Sequence, residues 1–270
     1  MKYLKEILIS KKEEIKRMSR NQDRKGFVLK NSGKGKKSFL RNITAGKINI
    51  IAEIKKASPS RGIINSRIDV KQTAVIYDKF KNFICGISVL TEPLYFKGDP
   101  ENIKIVKESS ELPVLRKDFI FSEVQIYQSA VLGADCILLI SSILGKKKLK
   151  KLFNSAVSLG LEVLVEVHSL KELDKALDIG AQFIGINNRN LGNMSVDSRT
   201  IYNLLSYVRK RDLKHKIFVC ESGVENIEYI RNLFFSGINT FLIGGYFMAS
   251  KNLEETLSNM EMELKQEKLL

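Results

Sequence analysis

Three stretches decide the fold: GADCILLI (133–140), GAQFIGIN (180–187) and GINTFLIG (237–244). Each opens on a glycine that suits a helix end, followed by a short run of mostly apolar residues of the kind that forms a fully buried strand. They lie 47 and 57 residues apart (from Gly133 to Gly180 and from Gly180 to Gly237), too irregularly for a solenoid but consistent with a repeating strand–helix unit. Outward from them the same alternation continues. Strands are expected at 48–54, 84–90, 113–116, 136–140, 162–167, 183–186, 217–220 and 240–243. Amphipathic helices are expected near 70–80, 100–109, 122–132, 146–159, 170–179, 198–209, 224–235 and 251–264. Strict alternation implies a parallel sheet with right-handed crossovers. Eight such units in about 220 residues match a closed α/β barrel, a single (β/α)8 TIM barrel. A doubly wound open sheet is the structural alternative, but it usually has fewer units.

The chain has 270 residues, long enough to bury a sizeable core, and its 44% apolar content excludes global disorder. Leu4, Ile7, Leu8, Ile15 and Met18 recur at helical spacing, so an amphipathic helix precedes the barrel. The expected organisation is a basic helical extension with a loop over 1–47, then the barrel over 48–270. No run approaches the length of a membrane span, and no signal peptide is read. Cys85, Cys136 and Cys220 stand far apart in apolar runs, which reads as three reduced core thiols in a cytoplasmic protein. With only two histidines, no metal site is expected.

The net charge is +15, which invites a nucleic-acid reading. The charge is unevenly spread, however. Residues 1–47 hold 15 Lys and Arg against four Asp and Glu; the other 223 hold 30 against 26. The Lys30–Ser38 loop reads as mobile, and it lacks the aromatics that interleave with basic residues in many nucleic-acid binders. No nucleic-acid partner is expected, and no membrane partner.

In a barrel of this kind the reacting groups lie where strands end and βα loops begin. The polar residues there are Glu53 and Lys55, Thr91 and Glu92, Lys117 and Asp118, Ser141 and Ser142, Glu166, then Asn187, Asn188 and Arg189, then Glu221 and Ser222. Glu53 and Lys55 are two apart and share a strand face. Lys and Glu rarely enter a core unpaired, so several converging on one mouth point to a site. There is no Ser/His pair and no His cluster. What remains is Lys and Glu acid–base chemistry, a Schiff-base lysine being the other option. Ser222-Gly223 and Gly244-Gly245 fall in the last two βα loops, where such barrels often hold phosphate on backbone N–H groups. Arg189 would add a cationic fork.

The motifs AEIKKASPSRG (52–62), VLTEPLYFKGDPENI (89–103), LPVLRKDF (112–119), LVEVHS (164–169), IGINNRNL (184–191), ESGV (221–224) and FLIGGYFM (241–248) occur in consistent order. On these the chain resembles indole-3-glycerol phosphate synthase, the barrel enzyme that closes the indole ring in tryptophan biosynthesis. The likeness runs from Phe39 to Met248, and the family also carries an N-terminal helix. The resemblance implies a lyase acting on 1-(2-carboxyphenylamino)-1-deoxyribulose 5-phosphate without metal or organic cofactor. It assigns Lys117 as the general acid of ring closure and Glu166 as a proton-transfer group in dehydration. Lys55 would share the acid role and touch the phosphate, Glu53 would hold the lysines, and Asn187 would bond substrate oxygens. Glu221 and Ser222 would complete the polar wall. Arg189, Gly223, Gly244 and Gly245, with Ser58 nearby, would hold the phosphate. Phe96, Phe119, Leu138 and Leu191 would line the anthranilate pocket. Gly245 departs from the pattern, where a polar or acidic residue is expected. A monomer or weak homodimer is expected. The rival readings are another phosphate-binding barrel, such as phosphoribosylanthranilate isomerase, and a basic nucleic-acid-binding protein.

Overall fold

A computed structural model of the chain describes residues 2–20, 36–210, 213 and 215–270. Eight parallel strands close a barrel: β1 (Asn49–Ile54), β2 (Ile84–Leu90), β3 (Val114–Lys117), β4 (Cys136–Ile140), β5 (Glu162–Val167), β6 (Phe183–Asn187), β7 (Ile217–Glu221) and β8 (Thr240–Ile243). Each pairs with its sequence neighbours, and β1 joins both β2 and β8. This is the (β/α)8 barrel that the alternation predicts. The N-terminal helix α1 (Lys2–Arg20) precedes an outer ring of α2 (Val70–Lys79), α3 (Asn102–Ser109), α4 (Glu123–Val131), α5 (Lys146–Ser158), α6 (Leu170–Asp178), α7 (Arg199–Lys210), α8 (Ile227–Phe235) and α9 (Leu253–Gln266). Asp69, Ser169 and Asn226 start α2, α6 and α8 by accepting backbone N–H bonds on their side chains.

Three strands run one residue past their expected ends. Lys117, Asn187 and Glu221 are therefore the last residues of β3, β6 and β7, not the first of their loops. β3 also begins at Val114 rather than at Pro113, which has no N–H to donate. A two-residue hairpin, Ala57–Ser58 against Gly62–Ile63, stiffens the first βα loop.

Strand alternation splits the core in two. Ile51, Cys85, Leu115, Cys136, Leu138 and Leu164 point into the barrel, with Phe183, Val219 and Leu242. The intervening residues, such as Ile50, Ala52, Ile137 and Val165, pack under the helices. The segment before β1 closes the barrel floor. The Ser38 hydroxyl and the Phe39 N–H both donate to the Glu162 carboxylate, the latter at 2.8 Å. The Phe39 ring fills the interior so closely that a Cβ on Gly86 would lie 2.1 Å from it. Lys36 and Lys37 donate to the Leu159 and Ser110 carbonyls. This part of the Lys30–Ser38 loop is therefore tied down; residues 30–35 lie outside the described residues.

Helix α1 packs at the opposite, C-terminal end. Ile7 joins the interior cluster, and Lys11, 1% exposed, donates to Asp118 Oδ2 at 2.9 Å.

Candidate active site

The C-terminal strand ends surround a cavity of about 470 Å³. All sixteen residues to which the family resemblance assigns a role line it: Glu53, Lys55, Ser58, Phe96, Lys117, Phe119, Leu138, Glu166, Asn187, Arg189, Leu191, Glu221, Ser222, Gly223, Gly244 and Gly245. Among the described residues, no three His, Cys, Asp or Glu are grouped to hold a metal ion.

At the centre is Lys117. Its ammonium lies 2.5 Å from Glu221 Oε2 and 3.4 Å from Glu166 Oε2. Glu53, from β1, pairs with Lys55 at 2.7 Å. Burial alone would make Lys117 give up its proton, but the charges of Glu221, Glu166 and Glu53 prevail and hold its pKa well above the ordinary lysine value. Burial likewise works to raise Glu166, and here Lys117 and His168 win, so the carboxyl sits below its usual range. Glu221 goes the other way. Burial, with Glu166 and Glu53 nearby, outweighs Lys117 and pushes it up to about 7. Carboxylates crowded around so few cations cannot all ionise freely, and Glu221 is the one that takes the excess. One oxygen on each of Glu166 and Glu221 is buried with no hydrogen-bond partner.

Two glycines make this crowding possible. A Cβ on Gly185, in β6, would lie 1.9 Å from Glu221 Oε1. A Cβ on Gly244 would lie 2.3 Å from Glu53 Oε1.

The rim near β7 and β8 has a different character. Ser222 and Gly223 both adopt positive φ, 64° and 78°. For a serine that backbone costs about 1–3 kcal/mol, strain of the kind that gathers at ligand clamps. Arg189 reaches across to the Ser60 hydroxyl and the Met194 carbonyl, at 3.1 and 2.9 Å. Arg61, from the first loop, pairs with Glu225 at 3.1 Å, and one of its nitrogens is 3.2 Å from where a Gly245 Cβ would be. A side chain at Gly245 would crowd the space that this guanidinium occupies. Burial and then the Arg61 cation lower the Arg189 pKa, against the opposing pull of Glu53 and Glu225. At the other side Phe96 and Phe119 tilt together, centroids 6.4 Å apart, over Leu138 and Leu191.

Four of the polar strand-end residues serve the scaffold. Thr91 donates to Asp118 at 2.6 Å, and Asp118 also receives Lys11 and Arg116. The Glu92 carboxylate accepts the backbone N–H groups of Leu94, Tyr95 and Phe96. Ser141 donates weakly to the Glu172 carbonyl, at 3.4 Å. Cys85, Cys136 and Cys220 are free and buried. Sequence reasoning gives no role to Arg61 or Gly185. A glycine inside a strand does signal close approach, which is the available clue to Gly185; Arg61 carries none beyond its place in SPSRG.

A family model described as indole-3-glycerol phosphate synthase matches residues 4–260. The chain belongs to the indole-3-glycerol phosphate synthase family. It is 41% identical over 262 residues to the synthase of Thermoanaerobacter pseudethanolicus, covering 97% of this chain and 98% of that one. It is 42% identical to that of Aliarcobacter butzleri over 96% of both chains. With the synthase of Campylobacter jejuni it shares 45% over 205 residues, covering 76% of this chain and 77% of that one. Two solved barrels are similar in shape alone. KGPDC from Streptococcus mutans matches with a TM-score of 0.60 at 13% identity, covering 82% of this chain and 98% of that one. 3-Hexulose-6-phosphate synthase from Salmonella typhimurium matches with a TM-score of 0.59 at 12%, covering 81% and 99%. As a member of the indole-3-glycerol phosphate synthase family the chain is a carboxy-lyase of tryptophan biosynthesis.

Proposed function

We propose that the cavity converts 1-(2-carboxyphenylamino)-1-deoxyribulose 5-phosphate to indole-3-glycerol phosphate by lysine–glutamate acid–base catalysis. One observation carries this reading: a partly buried ammonium, Lys117, sits among buried carboxylates between an aromatic wall and a cationic, glycine-rich rim. The rim suits a phosphate dianion, held by Arg189, by backbone N–H groups of Ser222, Gly223, Gly244 and Gly245, and by Ser58 and Lys55. Arg61 joins this set, standing where a side chain at position 245 would point. Phe96, Phe119, Leu138 and Leu191 receive the anthranilate ring. Anchoring both ends presses the ring carbon toward the ketone, a positioning effect worth several kcal/mol.

The ring carbon bearing the carboxylate bonds to the carbonyl carbon as Lys117 gives a proton to the carbonyl oxygen. Carbon dioxide leaves and returns its electron pair to the ring. Glu166 takes a proton from the methylene beside nitrogen, and the new hydroxyl leaves as water, with Lys55 as the assisting acid. Glu53 holds Lys55, and Asn187 bonds the substrate oxygens. The free site keeps Lys117 charged, a resting state for an acid rather than an active one. Protonation of Glu221 removes the nearest counter-charge and brings the lysine closer to giving its proton up.

The test is indole emission on mixing the purified chain with the substrate. The chain has no tryptophan, so protein background is low. Turnover that persists in EDTA and falls by about 10³ or more in Lys117→Ala supports the reading. A folded chain that leaves the substrate intact, or a Lys117→Ala variant that keeps its rate, counts against it. The reading places the enzyme in the cytoplasm as a monomer or weak homodimer without a nucleic-acid partner. The free buried thiols and the near-balanced charge beyond residue 47 support this, and sedimentation with and without RNA checks the last two points.

A further inference from the structure

In the sequence His168 is one of two histidines, too few for a metal site. In the structure it stands two residues beyond Glu166, one past the end of β5. Two of the buried side-chain atoms without a hydrogen-bond partner, Glu166 Oε1 and His168 Nε2, face each other at 3.5 Å. The far side of the ring is held. His168 Nδ1 is 3.3 Å from Glu172 Oε2, the same oxygen that accepts the His168 backbone N–H at 2.9 Å. A carboxylate at Nδ1 fixes that nitrogen as the N–H and leaves Nε2 as the atom whose proton comes and goes. The charged groups around the ring are Glu166 on its own strand, Glu172 on α6, Glu221 on β7, and Lys117 of β3 behind Glu166. Lys175, on α6, bears on Glu172 while donating to the Ser141 and Leu144 carbonyls.

The proposed reaction needs such a group. A carboxylate that leaves as neutral carbon dioxide makes each turnover take up one proton from water. Lys117 spends its proton on the carbonyl oxygen and must regain one. With substrate filling the cavity, Lys117, Glu166 and Glu221 are covered; their side chains are only 15, 3 and 1% exposed even in the free site, whereas the His168 ring, also 15% exposed, does not line the cavity and is not covered by what fills it.

We propose that His168 is the proton-exchange residue of this site, acting through Glu166 to recharge Lys117 after ring closure. This rests on the lysine–glutamate reading above. The Nε2–H bond of the imidazolium breaks as an O–H bond forms at Glu166 Oε1. The Glu166 carboxyl then loses a proton to the Lys117 amine, where an N–H bond forms. Positive charge has moved from ring to lysine, and the neutral ring regains a proton from water once product has left. Burial works against the imidazolium, but the Glu172 hydrogen bond and the surrounding carboxylates outweigh it, so the ring is held in its charged form above the ordinary imidazole pKa.

Two experiments test the inference. The first is a histidine ¹⁵N titration of the full chain without substrate, with exposed His215 as the second signal in the spectrum. The His168 midpoint is expected above that of free imidazole and should fall in Glu166→Gln. A midpoint indifferent to Glu166→Gln overturns the coupling. The second is kinetic. His168→Phe should lower kcat about tenfold or more with KM little changed and shift the pH profile of kcat, and added imidazole should restore part of the rate. His168→Gln, which can hydrogen bond but cannot carry a proton, should be as slow. If Gln restores the rate, or Phe never loses it, His168 does not relay protons. The titration requires no turnover, so its result stands apart from the success of the proposed reaction.

Discussion

Lys117 and Asp118 are neighbours in sequence and belong to opposite kinds of buried charge. Asp118 joins Lys11, Thr91 and Arg116 in a network where every buried donor and acceptor is met: Arg116 alone reaches Thr91, Gln125, Gln128, Ser129 and Asp118. Lys117 faces the cavity among carboxylates that are left short. Glu166, Glu221 and His168 each keep a buried atom unpaired. Both clusters are ionic and largely buried, so burial and charge do not tell them apart. Saturation does. A satisfied network has nothing left to offer a ligand, while an unsatisfied one holds charge in reserve for a group that arrives later.

The contrast can be broken from either side. The largest effect after Lys117→Ala should come from Gly185→Ala. The added methyl would displace the Glu221 carboxylate, and an ångström of misplacement at Lys117 should cost about 10² in kcat. Stopped-flow indole emission at saturating substrate reads this; an unchanged kcat would mean that Glu221 need not sit where it does.

Lys11→Met should do the reverse, lowering stability by about 2–3 kcal/mol and leaving kcat within a few-fold, since Arg116 and Thr91 still serve Asp118. The sign has a pH signature. Burial raises the Asp118 pKa, but Lys11 and Arg116 outweigh it and hold the folded value below the ordinary 3.8. Its stabilisation is therefore present above about pH 4 and is lost as pH falls through the folded value. Urea unfolding should show the Lys11→Met deficit shrinking as pH drops toward 3. A deficit that stays constant would locate the damage in α1 packing instead.

The smallest effect belongs to Arg61→Ala, expected to raise KM by roughly 3–10-fold with little change in kcat, as befits a half-exposed cation on a mobile anion. Inhibition by inorganic phosphate should weaken in parallel. If KM stays put, the Arg61 side chain fills the space above Gly245 without serving the phosphate.

Much of this is legible in the sequence for a plain reason. Parallel strands covered on both faces are continuous apolar runs, so eight of them stand out, and a Lys or Glu at their ends has no business in a core. Direction is not legible. Thr91 and Glu92 also end a strand, yet their side chains turn to the scaffold. Expected strand ends fall short by one residue at Lys117, Asn187 and Glu221 because a charged or polar residue ends an apolar pattern before it ends a hydrogen-bond ladder. Gly185 matters only to Glu221, 36 residues on, and Arg61 only once the first loop folds over Gly245. Such roles exist in the closed barrel and in no window of sequence. The Glu172 hold on His168 spans four residues, but across a strand-to-helix turn whose shape the sequence does not display.

The floor plug sets the order in which the chain is finished. Phe39 leaves the ribosome early, yet its seat is built from Gly86 of β2 and Glu162 of β5, the latter 123 residues later. At ordinary synthesis rates that is a wait of roughly 6 to 25 s. Phe39 therefore docks long after it is made, and until β5 emerges an apolar ring and its flanking lysines travel beside a growing, still open sheet.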